Sequence, residues 1–358
     1  MSKIIFFCAS LQAGGAERVL SVLSAPLAEH YDEVQYLMWY NAPVFYDVDS
    51  RVKIISIEKE ATNKGAMSKM MWLRSYILNE APNIVISFSA PFNMIMLISL
   101  FLTKQKIIVA ERVDPRSFRW GKHLEVLRNV LYWRANGILA QTEYSKNYFT
   151  GKLRSKTSII YNPIMMPKTM VGAAIKSPKQ NVIVSAARLE KQKRFDLLIE
   201  TFAEFKKTHP DYMLYIYGKG SQKERLLDIV KKYNIEKCVK FPGVVNDLWD
   251  RIKSARMFVM TSLFEGMSNS LIEAMCLGLP CISTKVSGAV DLIKSGENGI
   301  LIEIDDKTEL LAAMNKMANN PKEAEEIAKR ATLLYEELNV SKIAEQWLNY
   351  IDKQMVMK

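Results

Sequence analysis

The sequence contains few of the residues that most often hold metal ions or form disulfides. Only three histidines and four cysteines occur in 358 residues. The histidines are widely separated, which argues against a histidine metal site or a catalytic triad. No two cysteines have C-x-x-C spacing, and each lies in an apolar or strand-like segment. We therefore expect reduced, buried cysteines in a cytoplasmic protein, and no metal site.

Long apolar runs are also missing. The longest, residues 91–102, is about half of the roughly 20 residues that a membrane-spanning helix needs. We expect a buried helix there, with a segment dipping into a membrane as the less favoured alternative. The first residues, "MSKIIFFCASL", do not have the pattern of a secretory signal and predict a buried strand. The G-x-G-x-x-G fingerprint of dinucleotide-binding proteins is absent as well.

Positive charge is abundant and unevenly placed. The formal net charge is +11. Residues 1–170 hold 21 basic and 13 acidic side chains, whereas residues 171–358 hold 28 and 25. Within residues 104–168 there are 13 basic and 4 acidic side chains, interleaved with aromatic ones in "RSFRWGKHLEVLRNVLYWRANG". This pattern suits an anionic membrane surface, and equally a solvated helix whose aromatic residues pack inward. We do not expect nucleic acid as a partner, because no binding motif accompanies the charge.

The chain alternates short β-rich runs with longer amphipathic runs, which is typical of parallel sheets covered by helices. Six strands are predicted before residue 161 and six after residue 180. The intervening segment is rich in proline and small residues and predicts a linker. We therefore expect two doubly wound α/β domains, residues 1–165 and 166–341. An amphipathic helix at about 342–358 is expected to pack back on the first domain. Ligands of such folds bind beyond the carboxyl ends of the strands, here in a cleft between the domains.

Three segments could bind an anionic ligand at those strand ends. Gly14-Gly15 follows the first strand and precedes a helix, so the backbone there could approach a phosphate. Arg188 and Lys193 follow the first strand of the second half, where two cations would suit a diphosphate. Taken alone, each segment could equally be an ordinary structural turn.

The third segment, "FEGMSNSLIEAMCLGLP", contains two glutamates eight positions apart. Ser268 or Asn269 is the expected N-cap of a helix that Gly278 ends. Glu265 would then project from the loop, while Glu273 could accept hydrogen bonds from a vicinal diol such as that of ribose. The alternative for Glu273 is a carboxylate that only complements the helix dipole. A further string, Asp47–Asp49, has the D-x-D form of some metal sites, and we interpret it as a chance match in a polar turn.

Taken together, these segments resemble the retaining nucleotide-sugar glycosyltransferases of family 4. The resemblance extends over essentially the whole chain and rests on six motifs: "GGAER", "NP" in "IYNPI", "RLEKQK", "YGKGSQKERL", "FPGVVNDLWDRIKSARMFVMTS" and "FEGMSNSLIEAMCLGLPCIST". It implies the GT-B fold, in which two Rossmann-like domains face a central cleft. The first domain would hold the acceptor and the second the nucleotide sugar.

The resemblance also implies roles for the charged residues of the second domain. Glu265 matches the glutamate that faces the donor sugar and the reaction centre, and Glu273 matches the one that binds the ribose. Arg188 and Lys193 match the pair that holds the diphosphate. We therefore expect Glu265, Arg188 and Lys193 to act in catalysis.

Backbone groups complete the expected donor site. Gly15 matches a glycine whose amide meets a phosphate. The amides of Ser270 and Leu271 match those that face the diphosphate, and the turn at Gly243 and Val244 corresponds to the segment that contacts the base.

The sequence departs from the family pattern in two places. Ser268 stands where proline is frequent, which could change how the loop turns. Arg112 stands where many members have a histidine in the first domain. With Arg116 and Arg119 it forms the set of candidates for the acceptor side.

The function that follows from the resemblance is metal-independent transfer of a hexose or N-acetylhexosamine, with no cofactor besides the donor. The expected donor is a UDP-sugar, and the acceptor a glycan, linked to polyprenyl diphosphate, in bacterial surface polysaccharide or glycoprotein assembly. The protein would then associate peripherally with the inner face of the cytoplasmic membrane. The alternatives are a GT-B UDP-sugar epimerase and a GDP-mannose-dependent mannosyltransferase.

Overall fold

The computed structural model describes residues 2–12, 14–61, 63, 65–117 and 121–357. The chain forms two compact units. Unit 1 comprises Met1–Met165 and Leu338–Lys358, and unit 2 comprises Met166–Glu337. In the described parts of both units all paired strands are parallel, so the predicted doubly wound α/β fold is confirmed. No helix in the described ranges is long and apolar enough to cross a bilayer.

The strands are short and mostly fully buried, as expected for parallel sheets with both faces covered. In chain order they are β1 Lys3–Cys8, β2 Glu33–Met38, β3 Lys53–Ser56, β4 Ile84–Phe88, β5 Ile107–Ala110, β6 Gly137–Ala140, β7 Thr157–Ile159, β8 Val182–Ala186, β9 Met213–Tyr217, β10 Val239–Gly243, β11 Met257–Met260, β12 Cys281–Thr284 and β13 Ile300–Ile302.

The helices of unit 1 and the first ones of unit 2 are α1 Gly15–His30, α2 Ile57–Glu60, α3 Ala66–Glu80, α4 Ala90–Ser99, α5 Lys122–Tyr132, α6 Glu143–Lys146, α7 Gly151–Ser155, α8 Ala173–Lys176 and α9 Phe195–Phe205. They are followed by α10 Lys223–Lys232, α11 Leu248–Ile252, α12 Asn269–Leu277, α13 Ser287–Leu292, α14 Lys307–Asn319, α15 Pro321–Ala331, α16 Leu334–Leu338 and α17 Val340–Val356. Short 3₁₀ turns occur at Pro115–Ser117, Lys168–Met170 and Lys191–Lys193.

The strand order of unit 1 is β3-β2-β1-β4-β5-β6-β7, and helix α17 completes its core. The indole of Trp347 is buried and stacks on Phe88 of β4, with ring centroids 5.8 Å apart. At the C-terminal end of α17 the Lys106 ammonium donates to the backbone oxygens of Met355 at 2.5 Å and Met357 at 2.7 Å. A cation at this position stabilises a helix because it satisfies the last carbonyls.

The strand order of unit 2 is β10-β9-β8-β11-β12-β13. One layer of its core lies between the sheet and helices α9, α10, α14 and α15, and contains Leu198, Phe202 and Met314 among its buried side chains. The chain forms β8 first, adds β9 and β10 on one side of it, and then crosses to the other side to add β11, β12 and β13. The loops after β8 and β11 therefore leave neighbouring strands in opposite directions.

Sequence patterns located most elements correctly. All twelve predicted strands are present, and the predicted helix beginning at residue 16 begins at Gly15. Strand β7 was missed. Most of residues 91–102 belongs to the mostly buried helix α4, as favoured, and Phe101 and Leu102 beyond its end are exposed.

Candidate functional site

The expected donor residues of unit 2 lie beyond the carboxyl ends of its strands, on loops or at the start of α12. The loop after β8 carries Arg188 and Lys193, and the loop after β11 carries Glu265 and leads into α12. Because β8 and β11 are adjacent but their connections diverge, their ends form the switch point at which open α/β sheets bind ligands.

Lys193 and Glu265 form a largely buried ion pair at this switch point. The Lys193 side chain, only 10% exposed, donates to the Glu265 carboxylate. The hydroxyl of Ser262 donates to the same carboxylate oxygen at 2.9 Å. The structure therefore brings together two predicted site residues that are 72 positions apart in the sequence.

Backbone contacts hold the two loops against each other. The amide of Leu263 donates to the Gln192 carbonyl at 2.8 Å, and the Thr261 hydroxyl donates to the Lys193 carbonyl at 2.9 Å. Buried hydrogen bonds of this kind fix the position of the Lys193–Glu265 pair relative to the sheet.

Arg188 differs from Lys193 in its surroundings. Its side chain is exposed and makes no hydrogen bond or ion pair with any residue that the structure describes. A guanidinium in this state is available for a bidentate contact with a phosphate or diphosphate.

Glu273 lies on α12 and is largely buried, with 6% of its surface exposed. The indole N–H of Trp249, on α11, donates to its Oε2 at 3.1 Å. A glutamate that served only the helix dipole would face solvent, so this burial favours a specific role for the carboxylate. Trp249 was not identified from the sequence, because only the fold brings α11 next to α12.

The start of α12 presents backbone amides, as expected. Ser268 is the N-cap, and the first bond of the helix joins the Ile272 amide to the Ser268 carbonyl at 3.1 Å. The amides of Ser270 and Leu271 belong to the first turn, where amides have no helix carbonyl four residues before them. The helix ends at Gly278 with φ of 85°, as predicted.

The absence of proline at Ser268 does not require a different turn. Its φ is −80°, which lies within the range that a proline ring imposes. The doubt raised by the sequence at this position is therefore removed for the backbone.

The end of β10 and the loop after β9 support the Arg188 loop. The Gly218 amide donates to the Gly243 carbonyl at 2.8 Å, and Val244 beyond it is exposed. Gly218 has φ of +136°, and a Cβ there would lie 1.9 Å from the Ala187 carbonyl oxygen. The backbone passes so close to the Arg188 loop that only glycine fits.

The remaining candidates belong to unit 1. Gly15 is the first residue of α1, with Gly14 as its N-cap. Arg112 follows β5, and its Nη2 donates to Asn162 Oδ1 at 2.7 Å while its guanidinium lies over the Phe88 ring. Burial lowers the pKa of Arg112 to about 10, so it stays cationic at neutral pH.

Of the other two candidate arginines, the structure describes Arg116. Arg116 donates to the Tyr144 carbonyl at 2.9 Å and to Asp114 at 3.2 Å, and it stacks on the Tyr144 ring. These contacts occupy much of its guanidinium. Arg119 lies outside the described residues.

The chain is similar to known glycosyltransferases, over its second half in one comparison and over nearly its whole length in others. Residues 171–333 match the family model described as "Glycosyl transferases group 1". An uncharacterized glycosyltransferase of Haemophilus influenzae is 27% identical over 354 residues, covering 97% of this chain and 99% of the relative.

A second relative has a named activity. It is the GalNAc-alpha-(1->4)-GalNAc-alpha-(1->3)-diNAcBac-PP-undecaprenol alpha-1,4-N-acetyl-D-galactosaminyltransferase of Campylobacter jejuni, 25% identical over 359 residues and 98% of both chains. Among solved structures, Anabaena HepE in complex with UDP superimposes with a TM-score of 0.80, covering 98% of this chain and 100% of HepE. Its identity of 18% makes this a likeness of fold, and it confirms the expected two-domain GT-B fold.

Proposed function

We propose that the protein, whose residues 171–333 match the group 1 glycosyltransferase family model and whose fold is that of GT-B structures, transfers a hexose or N-acetylhexosamine from a UDP-sugar to a lipid-linked glycan with retention of anomeric configuration. The observation that carries this proposal is the largely buried Lys193–Glu265 pair at the β8/β11 switch point. It joins a cation suited to the diphosphate and a carboxylate suited to the sugar.

The donor contacts follow from the chemistry of the groups. The Glu273 carboxylate, oriented by Trp249, accepts hydrogen bonds from the two ribose hydroxyls. Arg188 and Lys193 bind the diphosphate together with the first amides of α12, and the base lies against Val244 and the turn at Gly243. UDP is favoured as the nucleotide because HepE, which shares the fold, was solved with UDP.

The reaction breaks the bond between the anomeric carbon and the diphosphate. Positive charge develops on the sugar ring and negative charge on the leaving diphosphate. Arg188, Lys193 and the helix-start amides stabilise the leaving group electrostatically, and this is why we propose that no metal is needed. The acceptor hydroxyl attacks from the same face, its proton passes to the departing diphosphate, and no protein nucleophile is assigned.

Glu265 changes partner in this scheme. In the free protein its carboxylate is bound by Lys193 and Ser262. When the diphosphate shares the Lys193 ammonium, the carboxylate becomes available to the donor sugar's hydroxyls and to the positive charge on the ring.

The acceptor is proposed from the Campylobacter relative. The Campylobacter enzyme acts on a glycan carried by diphospho-undecaprenol. We propose an acceptor of the same kind, a glycan on polyprenyl diphosphate, used in surface polysaccharide or glycoprotein assembly at the inner face of the membrane. The protein would bind that membrane peripherally.

Calorimetry with UDP-sugars and GDP-mannose tests the donor. We expect saturable binding of a UDP-sugar, weakened about tenfold or more in Lys193→Met and Glu273→Gln, because each loses a charge-assisted hydrogen bond. Glu265→Gln should lower kcat by about a hundredfold or more while changing affinity little. Unchanged affinity in the first two variants would remove the site assignment, and tighter binding of GDP-mannose would replace the donor.

Product analysis tests the reaction. With lipid extracts as acceptor, we expect a glycolipid whose new linkage has the donor's anomeric configuration, formed equally well with a chelator present. Epimer formation from a UDP-sugar alone, with no transfer, would point to the epimerase instead.

A further inference from the structure

Helix α5 of unit 1 is oriented with its polar side inward. Arg128 and Tyr132 are fully buried. The Arg128 guanidinium lies over the Tyr148 ring and donates to the Pro115 carbonyl at 3.3 Å, and the Tyr132 hydroxyl donates to Glu111 at 2.5 Å. Charged and hydroxyl groups therefore occupy the side of α5 that packs against the protein.

The opposite side of α5 exposes apolar residues. Val126, Val130 and Trp133 are each more than half exposed, and Leu127 is exposed as well. Their spacing of three and four places them on one face of the helix. A helix of a water-soluble surface normally shows the reverse arrangement, so this face is made to be covered.

The apolar surface continues beyond α4. Leu102 is 86% exposed and Phe101 is also exposed. The Arg134 guanidinium, just past the end of α5, donates to the carbonyls of Thr103 at 2.7 Å and Gln105 at 2.8 Å. These bonds join the end of α5 to the segment after Leu102. The docking face is defined as Phe101, Leu102, Val126, Leu127, Val130 and Trp133.

Basic side chains border this docking face. The Lys152 ammonium lies 5.7 Å from the centre of the Trp133 ring, and Lys156 donates to the Trp133 carbonyl at 3.0 Å. Lys122 at the start of α5 is exposed. The nearby carboxylate of Glu125 is engaged by the Tyr148 hydroxyl. The border is therefore positively charged.

We propose that the docking face inserts into the headgroup region of an anionic lipid bilayer. A tryptophan among aliphatic residues suits the boundary between headgroups and chains, and lysines around it suit lipid phosphates. A protein partner fits less well, because lysine is depleted in protein interfaces. The inference rests on the proposed function, since it names the surface through which the protein would bind the membrane that carries its acceptor.

Co-sedimentation with phosphatidylcholine vesicles, with and without phosphatidylglycerol, tests the docking face. We expect binding to the mixed vesicles that weakens with salt. The variant Val126→Ser, Val130→Ser, Trp133→Ser should bind about tenfold or more weakly, because it loses three exposed apolar groups that the bilayer would bury. The matched control Leu333→Ser, Ile304→Ser changes exposed apolar residues of unit 2 and should bind like the wild type.

The remaining outcomes separate the possibilities. Equal binding by the triple variant and the wild type, or equal binding to neutral and mixed vesicles, would overturn the inference. So would a dimer, seen by analytical ultracentrifugation without lipid, that the triple variant loses, because the face would then join two copies of the chain.

Calorimetry with UDP-sugar on the same variants keeps the two proposals distinguishable. The triple variant should bind UDP-sugar like the wild type. Vesicle binding without any nucleotide-sugar binding would reject the proposed function alone. Transfer to a detergent-dispersed acceptor without vesicle binding would reject the docking face alone.

Discussion

At the scale of single residues, Trp249 is the side chain whose importance depends most on the fold. Its indole N–H is bonded to Glu273, so it is a positioning residue for the carboxylate that we assign to the ribose. Trp249→Phe keeps the ring but removes the donor. We expect KM for the donor to rise about tenfold with kcat changed less than about twofold, which corresponds to the loss of one hydrogen bond to a charged group.

Two comparisons test this role. Trp133→Phe changes an exposed tryptophan of unit 1 and should leave donor KM unchanged. In the double variant with Glu273→Gln the two effects should not add, because Trp249 acts through that carboxylate. Fully additive losses would show that Trp249 acts independently of Glu273.

At the scale of elements, the loop after β8 depends on the loop after β9. Gly218→Ala would place a methyl group 1.9 Å from the Ala187 carbonyl oxygen and would strain a φ of +136°. We expect a loss of about 2 kcal/mol or more in the free energy of unfolding and weaker donor binding, because the Arg188 loop must move.

Gly296→Ala is the matched control for this prediction. Gly296 also has a positive φ, but apart from its chain neighbours nothing lies within 4 Å of the place that an added methyl group would take. This variant should lose about 1 kcal/mol from backbone strain and bind the donor normally. Thermal unfolding and calorimetry measure both quantities, and equal donor affinity in the two variants would contradict the close-approach explanation.

Sequence patterns predicted the elements well where an apolar run or a helix-ending residue marks the element within its own segment. In unit 2, strands β11 and β13 are continuous apolar runs, and Gly278 ends α12 as its chemistry requires. Strand β7 was missed because its three residues, just before the linker, are too few for a periodic pattern to be recognised.

The candidate site was predictable in its charges but not in its contacts. The motif order indicated Lys193 and Glu265, yet their pairing depends on two loops 72 positions apart. For α5, the sequence left a membrane face and an inward-packing helix as equal alternatives. The structure answers differently for two neighbouring aromatic residues at the end of α5, because Tyr132 is buried and Trp133 is exposed.

At the scale of the whole molecule, the division into two compact units predicts that each unfolds separately. Trp347→Ala removes a buried indole from unit 1, where it stacks on Phe88, and we expect a loss of about 3–5 kcal/mol. Hydrogen exchange should accelerate in β1 and β4 and stay unchanged in β8 and β11, because these belong to unit 2. Equal acceleration in both units would show that they unfold together.

The return of the chain to unit 1 has a consequence for synthesis on the ribosome. Residues 1–165 emerge before unit 2, but the helix that covers Phe88 emerges after it. At a synthesis rate of roughly 5–20 residues per second, the surface of unit 1 that Trp347 covers in the folded protein stays uncovered for roughly 10–35 seconds. Unit 2, made from one continuous segment, can meanwhile fold to completion. The nascent first unit is thus the part of this protein most in need of a chaperone.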